Sequence, residues 1–248
     1  MMKEYTIDIN CDVGEGVANE AKLFPYISSC NIACGGHTGD RDSMRATLRL
    51  AKKFGVGIGA HPSYPDRENF GRESLSMDAT ELSQSIKNQI HQLASICKEE
   101  KVTIQHIKPH GALYNDLAKD VALSRIFLDA IQEYKSELVV FVPFDSVLEK
   151  LALKEGFQIK VEAFADRNYT EELTLVPRTH PNALITEPQE VLNHVVRMVK
   201  ERQVRTIANT FEPMLAQTYC VHGDTPEALQ ILTYITKELP KYQIALKR

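Results

Sequence analysis

The chain has 248 residues, of which 43% are hydrophobic and 25% charged, and its formal net charge is −4 at pH 7. This length fits one sizeable core, and the composition is that of an ordinary globular protein. The slight acidity argues against nucleic-acid binding, the N-terminal residues lack the apolar stretch of a secretory signal, and no apolar run is long enough to cross a membrane. We therefore expect a cytoplasmic protein with no nucleic-acid or membrane partner, in which the five cysteines stay reduced.

Seven short apolar stretches recur along the chain, and polar residues with reactive side chains close or follow each of them. The predicted strands cover residues 5–10, 30–33, 56–60, 103–107, 138–142, 158–163 and 218–221. A packed core has no reason to collect His, Asp and Lys at the same end of its strands, whereas the active site of a parallel barrel does so. The pattern therefore predicts an enzyme.

Segments of helical period separate the predicted strands. Apolar stripes follow Asp40, Asp78, Pro188 and Pro226, residues that are typical of helix starts. Alternating strands and helices predict βαβ units with right-handed crossovers, and therefore one parallel sheet. Because at least six of the seven strand ends carry reactive residues, we expect a closed barrel instead of an open sheet with one switch point. The prediction is a single β/α barrel domain over residues 1–248, with residues 165–186 forming a long loop over the site.

The first strand carries three polar residues on one face. Asp8, Asn10 and Asp12 alternate along it, so their side chains project together. Converging carboxylates are costly to bury unless they bind a cation, share a proton or pair with a base. The alternative is a solvated strand end with a turn at Gly14 and Gly16. Because the three polar residues interrupt a strand that otherwise has a core sequence, we favour a functional site.

Two glycine-rich segments follow. Residues 34–40 lack the Gly-Lys-Ser/Thr of a phosphate-binding P-loop, and pairing Cys34 with His37 as nucleophile and base rests on proximity in sequence alone. The glycines of residues 55–59 lie within a predicted strand instead of between strand and helix. Close packing explains them better than dinucleotide binding does.

Three histidines and a lysine give the strongest indication of an active site. His61 precedes a proline, which favours an extended backbone that aims its ring away from the strand end. His106, Lys108 and His110 share one face of an extended segment and offer two imidazoles for metal binding or proton transfer, with one cation for an anionic group. We expect a structural role for His106, which lies deeper in the strand, and functional roles for Lys108 and His110.

The last two strand ends add further polar groups. Arg167 and Arg178 could clamp a carboxylate or phosphate, although an Asp166–Arg167 brace within the loop explains the first arginine nearly as well. Helix capping partly accounts for Asp224, but it does not account for His222.

Together, segments 8–15 (DINCDVGE), 31–37 (NIACGGH), 58–66 (IGAHPSYPD), 108–115 (KPHGALYN), 164–169 (FADRNY) and 221–226 (VHGDTP) closely resemble the LamB/YcsF family. The resemblance covers nearly the whole chain and keeps the order of the motifs. It implies a seven-stranded parallel β/α barrel of the glycoside hydrolase and deacetylase type. It also implies the activity of the A subunit of the ATP-dependent 5-oxoprolinase, which works with subunits B and C and cleaves 5-oxo-L-proline to L-glutamate with ATP as co-substrate.

On this basis we expect acid, base and charge-stabilising roles for the catalytic residues Asp12, His61, Lys108 and His110. Lys108, Arg167 and Arg178 would bind anionic groups. Asn10, Asn31 and His37 would orient the substrate. The expected substrate-binding residues are Asn10, Glu15, Asn31, His37, Asp166, Arg167, Arg178 and His222.

The chain departs from the family pattern at a few positions. The family usually carries an acid at the position of Gln217, so we expect His222 to lack an orienting partner.

Two other functions stay open. One is a metal-dependent amide or N-acetyl hydrolase that binds a divalent ion through Asp12, His61 and His110. The other is a non-catalytic protein that binds oxoproline for its partners. No sequence motif shows where ATP binds.

Overall fold

The structure is a computed structural model that describes residues 4–247. The strands are β1 (Tyr5–Val13), β2 (Ser29–Ala33), β3 (Gly57–His61), β4 (His106–Ile107), β5 (Val139–Pro143), β6 (Gln158–Phe164), β7 (Gln203–Arg205), β8 (Phe211–Pro213), β9 (Thr218–Cys220) and β10 (Ile244–Leu246). The α-helices are α1 (Arg41–Phe54), α2 (Ala79–Glu100), α3 (Gly111–Leu117), α4 (Val121–Ala130), α5 (Val147–Glu155), α6 (Pro188–Lys200) and α7 (Ala228–Glu238). Short 3₁₀ helices cover Glu20–Lys22, Phe24–Tyr26, Gln132–Tyr134 and Leu239–Tyr242.

Seven of these strands form a closed parallel barrel. Strands β1 to β6 pair in chain order, and β9 lies between β6 and β1, where Tyr219 is in register with Ala163 on one side and Ile9 on the other. The predicted seven-stranded parallel barrel is therefore confirmed. Strand β10 pairs in parallel with the start of β1, and β7 and β8 form a separate antiparallel hairpin.

Several elements differ from the sequence prediction. Strand β4 has only two residues, His106–Ile107, instead of the longer stretch predicted at 103–107. The three-residue strands β7, β8 and β10 were not predicted, although the equally short β9 was. Helix α7 begins at Ala228 and not at Pro226, since Glu227 before it has a left-handed φ of 63°.

The helices pack their apolar faces against the outside of the barrel. The Asp40 carboxylate caps α1 by accepting hydrogen bonds from the Asp42 and Ser43 N–H groups, and Asp78 caps α2 in the same way. Met44 and Leu48 of α1 are completely buried. No helix within residues 4–247 is long and apolar enough to cross a membrane.

The interior of the barrel is polar, unlike the branched apolar filling common in such folds. Asp8 accepts hydrogen bonds from the hydroxyls of Ser29 at 2.7 Å and Thr218 at 2.8 Å. Further along the same face of β1, the Asn10 amide donates to Glu162 at 2.8 Å. Because each of these buried groups has a partner, the polar filling is compatible with a stable core.

Gly59 makes room for a large aromatic group inside the barrel. A Cβ atom at this position would lie 2.0 Å from Nε2 of the His106 ring. That ring bonds the Asn31 side chain at 2.7 Å and stacks on Phe141 with centroids 4.1 Å apart. His106 is therefore a packed structural residue, as the sequence indicated, and close packing accounts for the glycine.

Candidate active site

A cavity of about 360 Å³ opens at the carboxyl ends of the barrel strands. This volume is in the range of small-molecule sites. The structure brings Asp12, His61, Lys108 and His110 together in its wall. The residues of the predicted site that also line it are Glu15, Arg167, Arg178 and His222. Residues 175–179 of the long loop cover one side, so that loop does lie over the site.

Lys108 forms the floor of the cavity and is only 2% exposed. Its Nζ atom lies 2.9 Å from Asp12 Oδ1, 3.0 Å from Glu162 Oε1 and 3.1 Å from Cys220 Sγ. Burial alone would lower the pKa of Lys108, but Asp12, Cys220 and Glu162 outweigh this and raise it well above its ordinary value. Nζ also donates to Asn10 Oδ1 at 3.3 Å, so hydrogen bonds to Asp12, Asn10 and Cys220 use the three donors of the ammonium group, and Glu162 adds an ion pair. The structure therefore favours neutralisation of two buried carboxylates over the predicted binding of an anionic substrate.

Three residues predicted to orient the substrate do not line the cavity. The Asn31 amide lies beneath it and donates to Asn10 Oδ1 and Asp12 Oδ1, both at 2.7 Å. His37 lies behind Glu15 and is 1% exposed. The structure therefore favours positioning roles for Asn10, Asn31 and His37 over direct contact with a substrate.

Two backbone carbonyl groups fix the tautomers of the paired histidines. His61 Nδ1 donates to the Lys108 carbonyl at 2.7 Å, and His110 Nε2 donates to the Phe70 carbonyl at 3.0 Å. A carbonyl oxygen can only accept, so each of these ring nitrogens carries the proton. In the neutral rings, His61 Nε2 and His110 Nδ1 are then both unprotonated, and they face each other at 3.0 Å.

Two carboxylates complete this group. Asp12 Oδ2 lies 3.4 Å from His61 Nε2, and Glu15 Oε1 lies 3.5 Å from His110 Nδ1. We call Asp12, Glu15, His61 and His110 the His–carboxylate cluster. Burial would raise the pKa of Asp12, but His61 in its cationic form and Lys108 hold it well below its ordinary value. Burial and the neighbouring Asp12 raise the pKa of Glu15 to about 7. Burial lowers the pKa of His110, with a further contribution from His61.

His222 has an acidic partner after all. Its Nδ1 donates to Asp166 Oδ1 at 3.0 Å, and its backbone N–H donates to Oδ2 of the same carboxylate at 2.9 Å. The expectation that His222 lacks an orienting acid is therefore wrong, because the acid comes from the end of β6 instead of from the strand before the histidine. His222 keeps its Nε2 available at the cavity wall.

The two arginines differ in their surroundings. Arg167 is 5% exposed and donates to the carbonyls of Val176 at 2.6 Å and Ala183 at 3.3 Å, so it braces its own loop. Burial, with a contribution from Arg178, lowers the pKa of Arg167. The Arg178 side chain is 30% exposed and lies 3.6 Å from Asp224. Arg178 is the better placed of the two to meet an anionic ligand.

Sequence reasoning missed Arg72 and Tyr114 in the cavity wall and Glu162 behind it. Arg72 pairs with Asp224 at the rim, but it lies in a segment without a motif. The Tyr114 hydroxyl and Glu162 Oε2 are buried and have no hydrogen-bond partner within residues 4–247. Glu162 closes a predicted strand and Tyr114 belongs to the 108–115 motif, so both could have been selected as candidate site residues from the sequence.

Cys34 does not have the environment of a nucleophile. It is completely buried, its Sγ accepts from the His61 N–H at 3.2 Å, and burial raises the pKa of the thiol to about 12. A reactive cysteine needs the opposite conditions, exposure and a lowered pKa.

Comparison with known proteins adds to this geometry. The sequence profile of the LamB/YcsF family matches residues 7–248. Proteins named as the A subunit of 5-oxoprolinase are similar to the chain: one from Haemophilus influenzae is 38% identical, with 97% of this chain and 98% of that protein covered, and one from Chloroflexus aurantiacus is 42% identical with 90% of each covered. The crystal structure of the lactam utilization protein from Thermus thermophilus superposes with a TM-score of 0.90 at 32% identity, covering 98% of this chain and 99% of that one.

Proposed function

This chain belongs to the LamB/YcsF family, and we propose that it is the A subunit of an ATP-dependent 5-oxoprolinase that opens 5-oxo-L-proline to L-glutamate. The relatives that carry this name align over 90% or more of both chains. The name of those relatives implies further subunits, and we propose subunits B and C as the partners. The observation that carries the proposal is one small cavity that combines the His–carboxylate cluster, a second acid–histidine pair and Arg178.

The chemistry of a lactam explains why ATP and several charged groups are needed. The five-membered amide is stabilised by resonance, so water attacks it slowly. Transfer of the terminal phosphoryl group of ATP to the lactam oxygen, with release of ADP, makes the ring carbon electrophilic. One water then adds to that carbon, the C–N bond breaks as the nitrogen takes a proton, and a second water releases phosphate and leaves glutamate.

The residues of the cavity suit these steps. Asp12 stays a carboxylate at neutral pH because its pKa is lowered, and it lies beside the cavity where it can accept a proton from water. When its ring carries a proton on both nitrogens, His222, oriented by Asp166, can deliver the Nε2 proton to the ring nitrogen of the lactam. His61 and His110 lie beside Asp12, and Arg178 is placed for the carboxylate or phosphate of the ligands.

A second candidate function is metal-dependent hydrolysis of an amide or N-acetyl group without ATP. The specific observation in its favour is the pair of unprotonated nitrogens of His61 and His110, with Asp12 beside them. ATP dependence of the reaction separates the two functions.

The test is glutamate formation from 5-oxoproline and ATP by this chain alone, by subunits B and C alone, and by all three together. We expect glutamate only from the complete set, and only with ATP. The matched control is Arg125→Ala, an exposed arginine on α4 away from the cavity, which should leave the rate unchanged. Full turnover by the isolated chain would refute the need for partners, and no glutamate from the complete set would refute the function.

A further inference from the structure

We infer that the His–carboxylate cluster is a binding site for one divalent transition-metal ion, with His61 Nε2, His110 Nδ1, Asp12 Oδ2 and Glu15 Oε1 as ligands. This inference goes beyond the proposed activity and does not depend on it. It rests on the hydrogen bonds that fix both imidazole rings.

Two ring nitrogens face each other in the cluster without a proton between them. Backbone carbonyls of Lys108 and Phe70 take the protons of the far nitrogens, so His61 Nε2 and His110 Nδ1 both present lone pairs across 3.0 Å. Two lone pairs at this distance repel each other unless a cation lies between or beside them. A metal-bound histidine commonly donates its other N–H to a backbone carbonyl or a carboxylate, and both rings show that arrangement.

The distances between the four ligand atoms suit a single metal ion. Bonds of about 2.0–2.1 Å to nitrogen and oxygen in a tetrahedron place neighbouring ligand atoms about 3.3 Å apart. The three contacts are 3.0 Å between the imidazole nitrogens, 3.4 Å from His61 Nε2 to Asp12 Oδ2 and 3.5 Å from His110 Nδ1 to Glu15 Oε1. All four ligand atoms lie within 4.8 Å of one another. A single ion can therefore contact all four with small side-chain movements.

The charges and the neighbours of the cluster also favour a cation. Two buried carboxylates, those of Asp12 and Glu162, share one ammonium group, that of Lys108, and the buried Glu15 adds a further negative charge when it is ionised. A divalent cation would balance this excess of negative charge. His37 Nε2 lies 3.0 Å from Glu15 Oε1, and its ring stacks on His110 at 3.7 Å, so it supports two of the ligands.

Two imidazoles with two carboxylates suit zinc, cobalt, nickel or iron(II), whereas magnesium and calcium prefer sites built from oxygen alone. The probe is therefore Zn²⁺ titrated into the chelator-treated full chain by calorimetry, with Co²⁺ absorption as a spectroscopic readout. We expect one Zn²⁺ per chain and d–d bands typical of a four- or five-coordinate site. Mg²⁺ at the same concentration should not bind.

Substitutions distinguish the proposed metal ligands from the residue that supports them. His110→Gln and Asp12→Asn, which keep the approximate shape of the side chain, should weaken Zn²⁺ binding by more than the roughly 10–100-fold expected for loss of a supporting partner. His37→Ala should weaken it within that smaller range. The control is His91→Ala, whose side chain is 52% exposed and pairs with Glu133 at the surface. It should leave zinc affinity unchanged.

Circular dichroism and the melting temperature of each variant establish that it is folded before binding is compared. The inference is overturned if no metal binds at about 1 mM, where binding is worth only about 4 kcal/mol. It is also overturned if folded His110→Gln and Asp12→Asn retain wild-type affinity. In the first case the cation between the rings is a proton, and an imidazole ¹⁵N spectrum of the metal-free chain would show it. Glutamate formation is not part of this test, so its outcome is independent of the proposed function.

Discussion

Replacing Lys108 with methionine tests whether the floor of the cavity is held together by charge. Methionine keeps most of the volume but removes the ammonium group that contacts Asp12 at 2.9 Å and Glu162 at 3.0 Å. Breaking a buried ion pair from one side costs about 3–5 kcal/mol, because the remaining charge is left without a partner. For a chain of this size each kcal/mol corresponds to about 2–4 °C in Tm, so Lys108→Met should lower Tm by about 6–20 °C.

Thermal and urea unfolding monitored by circular dichroism measure this loss. The double variant Lys108→Met/Glu162→Gln should be less destabilised than the sum of the two single variants by about 0.5–3 kcal/mol, since it removes a charge together with its partner. The control is Lys150→Met, because Lys150 pairs with Asp145 at 2.8 Å on the surface with side chains 63% and 67% exposed. A pair of this kind contributes less than about 1 kcal/mol. If Lys108→Met is no more destabilising than Lys150→Met, the reasoning about the floor is refuted.

Other predictions address single parts of the structure. Gly59→Ala should cost about 1–3 kcal/mol in unfolding free energy, because its Cβ would lie 2.0 Å from His106; an unchanged urea midpoint would contradict the packing. Arg178→Ala should raise KM for an anionic substrate by about 10–100-fold with little change in kcat, whereas Arg125→Ala should change neither in the same steady-state assay. Burial would raise the pKa of Asp166, but His222 and Thr225 outweigh this and lower it. The ionised carboxylate therefore stabilises the fold at pH values above its unfolded pKa of about 3.9, and this stabilisation is lost as pH falls through the folded pKa. Asp166→Asn should therefore reduce the loss of stability as pH falls below about 4 in acid-unfolding curves, and curves parallel to wild type would contradict this assignment.

Much of the fold was predictable because the spacing of the apolar residues and the polar residues that follow the strands indicate where strands and helices lie. Strand β6 and helix α2 have enough residues to show their period, and their predicted positions agree with the structure. The short strands β7, β8 and β10 and the exact bounds of β4 were not predicted, because pairing between strands defines them and not the local sequence pattern. Strand β4 (His106–Ile107) shows this, since register with β3 and β5 alone sets its limits.

The site was less predictable than the fold because partners distant in sequence decide what each side chain does. Lys108 has the sequence context of an anion-binding residue. Only the structure shows that its hydrogen bonds go to Asp12, Asn10 and Cys220 and that it also pairs with Glu162. His222 takes its acid from Asp166, 56 positions earlier in the chain. Neither partnership can be inferred from local sequence.

The most direct test of the central proposal is glutamate release from 5-oxoproline by the complete complex, assembled with either the wild-type chain or Asp12→Asn. Asparagine keeps the shape of Asp12 but cannot take a proton from water. We predict ATP-dependent glutamate release with the wild-type chain, and a rate lower by about 10²–10⁴-fold with a folded Asp12→Asn chain. Absence of glutamate with the wild-type chain, or equal rates with both chains, would contradict the account.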